Sequence, residues 1–273
     1  MNAQQQLQYN IALAFDIGLE VPELKYLRTI PEEERDAVVN DPFSWRIYPY
    51  LNLAIQRITG LEMTWTAWWD GERFKNITLS IQDKWLLDGN QGVELESNLV
   101  TVFKGETLTI GKHIGRLAKN IKEKDPEFKG FVSMDLIFKK GKAYYKAIHF
   151  GVSYDYVYCL SKMAGINPDL LAVKLEKNED VNLELDYAGS VRLWSYPYEA
   201  EYNKEVLLEN SEHILEGDES FICVCSGKSI ACVWKRVYEV LHNSKLYEAC
   251  YRTDGHYRAT DIIYKLRKMK YIK

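Results

Sequence analysis

Two β-hairpins with a helix between them constrain this chain more than any other feature. In LEMTWTAWWDGERFKNITLSIQDKWLL, runs of β-branched and aromatic residues flank Asp70-Gly71, a dipeptide suited to a tight hairpin turn. In GFVSMDLIFKKGKAYYKAIHFG, Lys140-Gly141 supplies a second bend. Between them, TIGKHIGRLAKNIKEK sets Ile110, Ile114, Leu117 and Ile121 on one face of an amphipathic helix. A helix between hairpins, without regular βαβ alternation, reads as α+β. Tryptophans 65, 68 and 69 break strict alternation, so at least one should leave the face that the others share.

The first 60 residues read as largely helical. Leu7, Ile11, Ala14 and Phe15 recur at helical spacing before Gly18. GLEVPELKYL reads as a loop and a short strand. PEEERDAVV opens a helix at Pro31 with three glutamates in its first turn, where the helix dipole favours negative charge. A further helix is predicted over Tyr48–Ile58, closing at Gly60. Beyond the second hairpin, YDYVYCLSKMAG is helical, and the polar run KLEKNEDVNLELDYAGS marks a soft boundary. A strand near Ser190–Ser195, a turn at Pro197, the strand SFICVCSG, the helix SIACVWKRVYEVLHN, YRTDGHYR and a basic last helix complete the order. Three segments follow: 1–60, 61–180 and 181–273.

Composition narrows the partners. The net charge is only -4, with acidic and basic residues interspersed, so no strong field points to nucleic acid or an anionic membrane. MNAQQQLQYNIALAF has no basic n-region and no long apolar core, so it does not read as a secretory signal, and no apolar run approaches a membrane span. Five cysteines without a leader read as reduced thiols in a cytoplasmic setting. Cys223, Cys225 and Cys232 lack a fourth ligand at zinc spacing and are expected to be buried structural thiols. No HExxH, Walker A loop or GxGxxG occurs, and GKHIGR lies on the predicted helix.

Taken in order, the segments resemble the ATP-grasp ligases, in particular the phosphoribosylamine–glycine ligases. LEMTWTAWWDGERF and DKWLLDGNQG are similar to that family's GxExS-like strand, WFDG-type hairpin and KK…DG…G loop. KGFVSMDLIFKKGKAYYKAIHFG is similar to the strand pair ending EFNVRFG. SVRLWSYPY, CSGKSIACVWKRVYEV and YRTDGHYR resemble the VRL…PYP, TGxGxTxxEAxxxVY and YRxDIGxR stretches of its C-terminal domain. The resemblance implies an ATP-grasp-like α+β body over 61–180, a small sandwich-like domain over 181–273, and a remnant of the ATP-binding subdomain over 1–60. It also implies ATP and magnesium, used to activate a carboxylate as an acyl phosphate that an amine attacks.

The departures matter as much. Aligned on Phe150-Gly151, the family's metal-binding glutamate and asparagine fall at Tyr145 and Ala147, and its arginine at His149. Neither tyrosine nor alanine suits a hard divalent cation. The short stretch between GLEVPE and LEMTW has no glycine-rich phosphate loop, so the ATP-binding subdomain is expected to be truncated. Glu94 and Glu96 would repel a triphosphate where the ligases have small residues. The expectation is a degenerate ATP-grasp protein without catalysis, cofactor or metal, acting through a partner protein, self-association over Pro42–Ile58, or a residual small ligand. The alternative is a divergent carboxylate–amine ligase with metal on Glu62, Asp135 and Asp155, His149 or Asp155 in catalysis, and Glu62 and Lys84 at the nucleotide. His149 could equally be a hydrogen-bonded core or cleft histidine, and Asp254 a structural tie for the last helix.

Overall fold

A computed structural model of the chain describes residues 3–41, 43–48, 52–83, 99–193, 212–216, 221–244 and 251–273. Both hairpins close where the turn chemistry requires. Asp70 accepts the backbone N–H groups of Glu72 and Arg73, each at 2.8 Å, with Gly71 at φ +99°. Lys140 and Gly141 both hold positive φ, 49° and 80°, as a two-residue type I′ turn demands.

The first hairpin is β4 (Leu61–Trp69) and β5 (Phe74–Asp83), and the second is β7 (Gly130–Lys139) and β8 (Lys142–His149). With β6 (Leu99–Phe103), β9 (Tyr187–Leu193), β10 (Ile214–Glu216) and β11 (Phe221–Gly227) they build one eight-stranded antiparallel sheet, in the order β10-β11-β9-β6-β5-β4-β7-β8. The sheet runs on across residue 180, because β6 pairs with β9 and β9 with β11. The layering after residue 181 is sheet against helix.

Alternation decides what covers each face. Met63, Trp65 and Trp69 of β4 and Met134 and Leu136 of β7 point one way. They pack on α1 (Ala3–Asp16), α3 (Gly111–Lys124) and α7 (Gly255–Lys268). On the same side, α6 (Ile230–Asn243) lays Val233, Trp234 and Val237 over Val191, Cys223 and Cys225. The opposite face is covered over β6, β9 and β11 by α4 (Tyr154–Ala164) and α5 (Pro168–Glu176), through Tyr156, Leu160, Met163, Leu171 and Leu175. Trp68 is the tryptophan that leaves its neighbours. Alternation along β4, in unbroken register with β7, sends it to this opposite face with Thr64 and Thr66, edge-on to Phe131. Cys159, Cys223 and Cys225 are buried free thiols, whereas Cys232 is exposed at the start of α6, contrary to expectation.

Among the described residues of Tyr48–Ile58 the predicted helix does not form. Its described residues contribute to β2 (Trp45–Tyr48) and β3 (Leu53–Gln56), which join β1 (Leu24–Tyr26) in a three-stranded sheet. Asn52, at φ 50°, precedes β3. Ala54, with Trp45 and Ile47, finds a small core against Leu27 and against Val38 of α2 (Glu32–Val39). That packing outweighs helix propensity in a segment with few periodic apolar residues. The predicted helices α1 and α2 do form. No helix among the described residues is long and apolar enough to cross a membrane.

Candidate functional site

Beside α4, the same face of the sheet carries polar side chains in rows, buried over β5 and β4 and opening toward β8. Register places Thr78, Thr66, Ser133 and His149 across β5, β4, β7 and β8, and Ser80, Thr64, Asp135 and Ala147 in the next row. Glu62 follows Thr64 on the same face of β4. Of the carboxylates singled out from the sequence, this face brings two together, Glu62 and Asp135, with His149 beside them.

Each of these groups is already engaged. The Thr64 hydroxyl donates to Asp135 Oδ1 at 2.5 Å, and His149 Nε2 lies 3.4 Å from Asp135 Oδ2. Burial works to raise the Asp135 carboxyl, but the His149 hydrogen bond and charge, the Thr64 hydroxyl and the Lys146 charge hold it below the usual carboxylate range. Glu62 Oε2 accepts from Lys146 Nζ at 2.5 Å. Ser133 donates to the Gly151 carbonyl, and Thr78 shares a 2.7 Å hydrogen bond with the buried Tyr156 hydroxyl.

Lys146 reaches this face because β8 bulges. Asp135 is opposite Ala147 but Leu136 is opposite Tyr145, so Lys146 is the extra residue. Ala143, Tyr145 and Ile148 enter the core, while Lys146 and Ala147 stand side by side on the polar face. Tyr145 is 3% exposed and packs on the far side of the sheet, so the residue aligned with a metal-binding glutamate does not face the site.

Asp155 is elsewhere. It sits in the first turn of α4, fully buried, with its Oδ2 accepting from Arg192 Nε at 3.0 Å and Nη2 at 2.8 Å. Arg192 belongs to β9, which three strands separate from β7, about 19 Å at ~4.8 Å per strand. Asp155 therefore cannot share a metal with Asp135 and Glu62, nor act with His149. Burial pushes its carboxyl up to about 7, against the opposing influence of its own backbone N–H and the nearby Ser190 hydroxyl. Sequence reading missed Arg192, because its partner lies 37 residues away.

The start of α7 is tied down as the YRTDGHYR segment suggests. Arg252 pairs with Asp254 at 2.6 Å, and Arg258 reaches Asp83 at the end of β5 at 2.6 Å. Lys84, Pro42, Glu94 and Glu96 lie outside the described residues. A cavity of about 480 Å³ beside α6, lined by Tyr238, His242 and Tyr251, draws on none of these residues.

A divalent cation with a triphosphate asks for several free oxygen ligands. Ala147 offers none, Tyr145 points away, and both carboxylates on this face hold a base. Among the described residues, those on this face do not fit magnesium and ATP. Among the described residues no cluster of three or more His, Cys, Asp or Glu could hold a metal.

Comparison with models of known families finds no match, and no curated protein matches. Solved structures do match. The chain is similar to phosphoribosylamine–glycine ligase from Thermotoga maritima, at 13% identity and TM-score 0.61, covering 91% of this chain and 78% of that one. It is also similar to the biotin carboxylase domain of a single-chain bacterial carboxylase, at 9% identity and TM-score 0.59, covering 94% and 72%. N5-carboxyaminoimidazole ribonucleotide synthetase from Thermus thermophilus matches at 10% identity and TM-score 0.56, covering 88% and 72%. Architecture and neighbours agree: the chain has the α+β fold of the ATP-grasp ligases.

Proposed function

We propose that this chain is a non-catalytic protein of the ATP-grasp fold that acts by binding. The observation that carries the reading is the pairing of its carboxylates: Glu62 with Lys146, Asp135 with His149 and Thr64, Asp155 with Arg192. A ligase of this kind must offer oxygens to a metal that offsets charge on the transferring phosphoryl group. Here the chain's own bases take that role, and the position opposite Asp135 is an alanine.

Its partner is expected to be a protein or a second copy of the chain, meeting the three-stranded sheet. Phe43 is 88% exposed beside β2, and Tyr26 and Val39 also face solvent. The alternative, a divergent carboxylate–amine ligase, draws on the shared face of Glu62 and Asp135 but finds no third carboxylate on that face among the described residues.

Thermal melting with millimolar ATP and magnesium, with ADP, and with EDTA tests the reading. A ligand at 100 times its dissociation constant would add about 2.7 kcal/mol of stability. No shift is expected; a rise in melting temperature that requires metal would revive the ligase.

A further inference from the structure

Lys146 owes its place to a bulge that reverses two neighbours. Counting back by twos from His149 and Ala147 puts Tyr145 on the polar face and Lys146 in the core; the extra residue exchanges them. A bulge of this kind re-aims a side chain at the cost of a ladder irregularity. What it aims here is an ammonium, delivered 2.5 Å from Glu62 and close enough to Asp135 to help hold that carboxyl ionised.

Glu62 and Asp135 stand on adjacent strands, β4 and β7, with the Thr64 hydroxyl in contact with Asp135. Two carboxylates and a hydroxyl on one sheet face form a donor set for a hard cation. Both carboxylates are reachable from solvent, with side chains 51% and 24% exposed. We propose that the Lys146 ammonium is a resident counter-ion, seated where Glu62 and Asp135 would otherwise take a divalent cation, and that it closes this face to metal. A cation arriving from solution would meet a like charge at contact distance, and the first carboxylate it needs is already bonded.

This deepens the functional reading above and fails separately from it. The test is Mn²⁺ binding, followed by electron paramagnetic resonance, on the wild type, Glu62→Gln, Lys146→Met, Lys146→Arg and Lys146→Met/Glu62→Gln. Circular dichroism confirms the fold of each. Lys146→Met should bind one Mn²⁺ at least about tenfold more tightly than the wild type, because a like charge has gone. Lys146→Arg should remain closed, and the double variant should lose the gain. The proposal is overturned if the wild type binds Mn²⁺ saturably and Glu62→Gln abolishes it. It is equally overturned if folded Lys146→Met binds no better than the wild type, or if its gain survives Glu62→Gln. Melting of the wild type with ATP alone, run alongside, reports on the function and not on Lys146.

Discussion

Replacing Arg192 with methionine should unmask the charge of Asp155. The two side chains are 4% and 1% exposed, and the guanidinium contacts Oδ2 through two N–H groups. Methionine keeps most of the apolar stem, so the variant removes charge more than packing. Burial pushes the Asp155 carboxyl from 3.8 to about 7. Without the guanidinium nothing of opposite charge offsets that burial. Removing one partner of a buried pair costs roughly 3–5 kcal/mol. The sign gives the prediction its pH signature. A carboxyl whose folded value lies above its unfolded value keeps a proton that the unfolded chain has lost, so stability falls as pH rises through that window. Urea unfolding should show Arg192→Met losing about 4 kcal/mol at pH 8 but less than about 2 kcal/mol at pH 5. Asp155→Asn added to Arg192→Met should recover most of the loss at pH 8. A loss equal at both pH values, or one that Asp155→Asn leaves in place, would refute the buried pair.

Two further outcomes test the site and its scaffold. Asp135→Asn should cost about 1–3 kcal/mol at pH 7, where a charged acceptor loses its Thr64 and His149 partners. Because the Asp135 carboxyl is held below its ordinary value, that difference should close as pH falls below about 4 in chemical unfolding. Gly255→Ala should destabilise by about 1–3 kcal/mol in the same assay, since a Cβ there would lie 2.7 Å from the ring of the buried Trp234.

Much of the frame was legible because hairpin turns and amphipathic helices are local signals. Asp70-Gly71 and Lys140-Gly141 announce their turns, and α3 announces its buried stripe of Leu117 and Ile121. The Tyr48–Ile58 segment was not legible, because its strand character comes from packing Ala54 and Ile47 against Leu27 and Val38 in a small core. The site was read only in part. Glu62, Asp135 and His149 do share a face, as alternation allows. Lys146 was missed because an alternating count cannot see a bulge. One trace did exist: the apolar residues Ala143, Tyr145 and Ile148 step by two and then by three. Asp155 was misplaced for a different reason. Closeness in sequence to His149 says nothing of Arg192, which fixes Asp155 of α4 from β9.

We propose that on its polar face this chain satisfies its own carboxylates, Glu62 with Lys146 and Asp135 with His149, and takes up neither magnesium nor ATP. Calorimetric titration of the wild type with magnesium and ATP should give no saturable heat into the millimolar range. A one-site isotherm that disappears in Glu62→Gln or Asp135→Asn would overturn that reading.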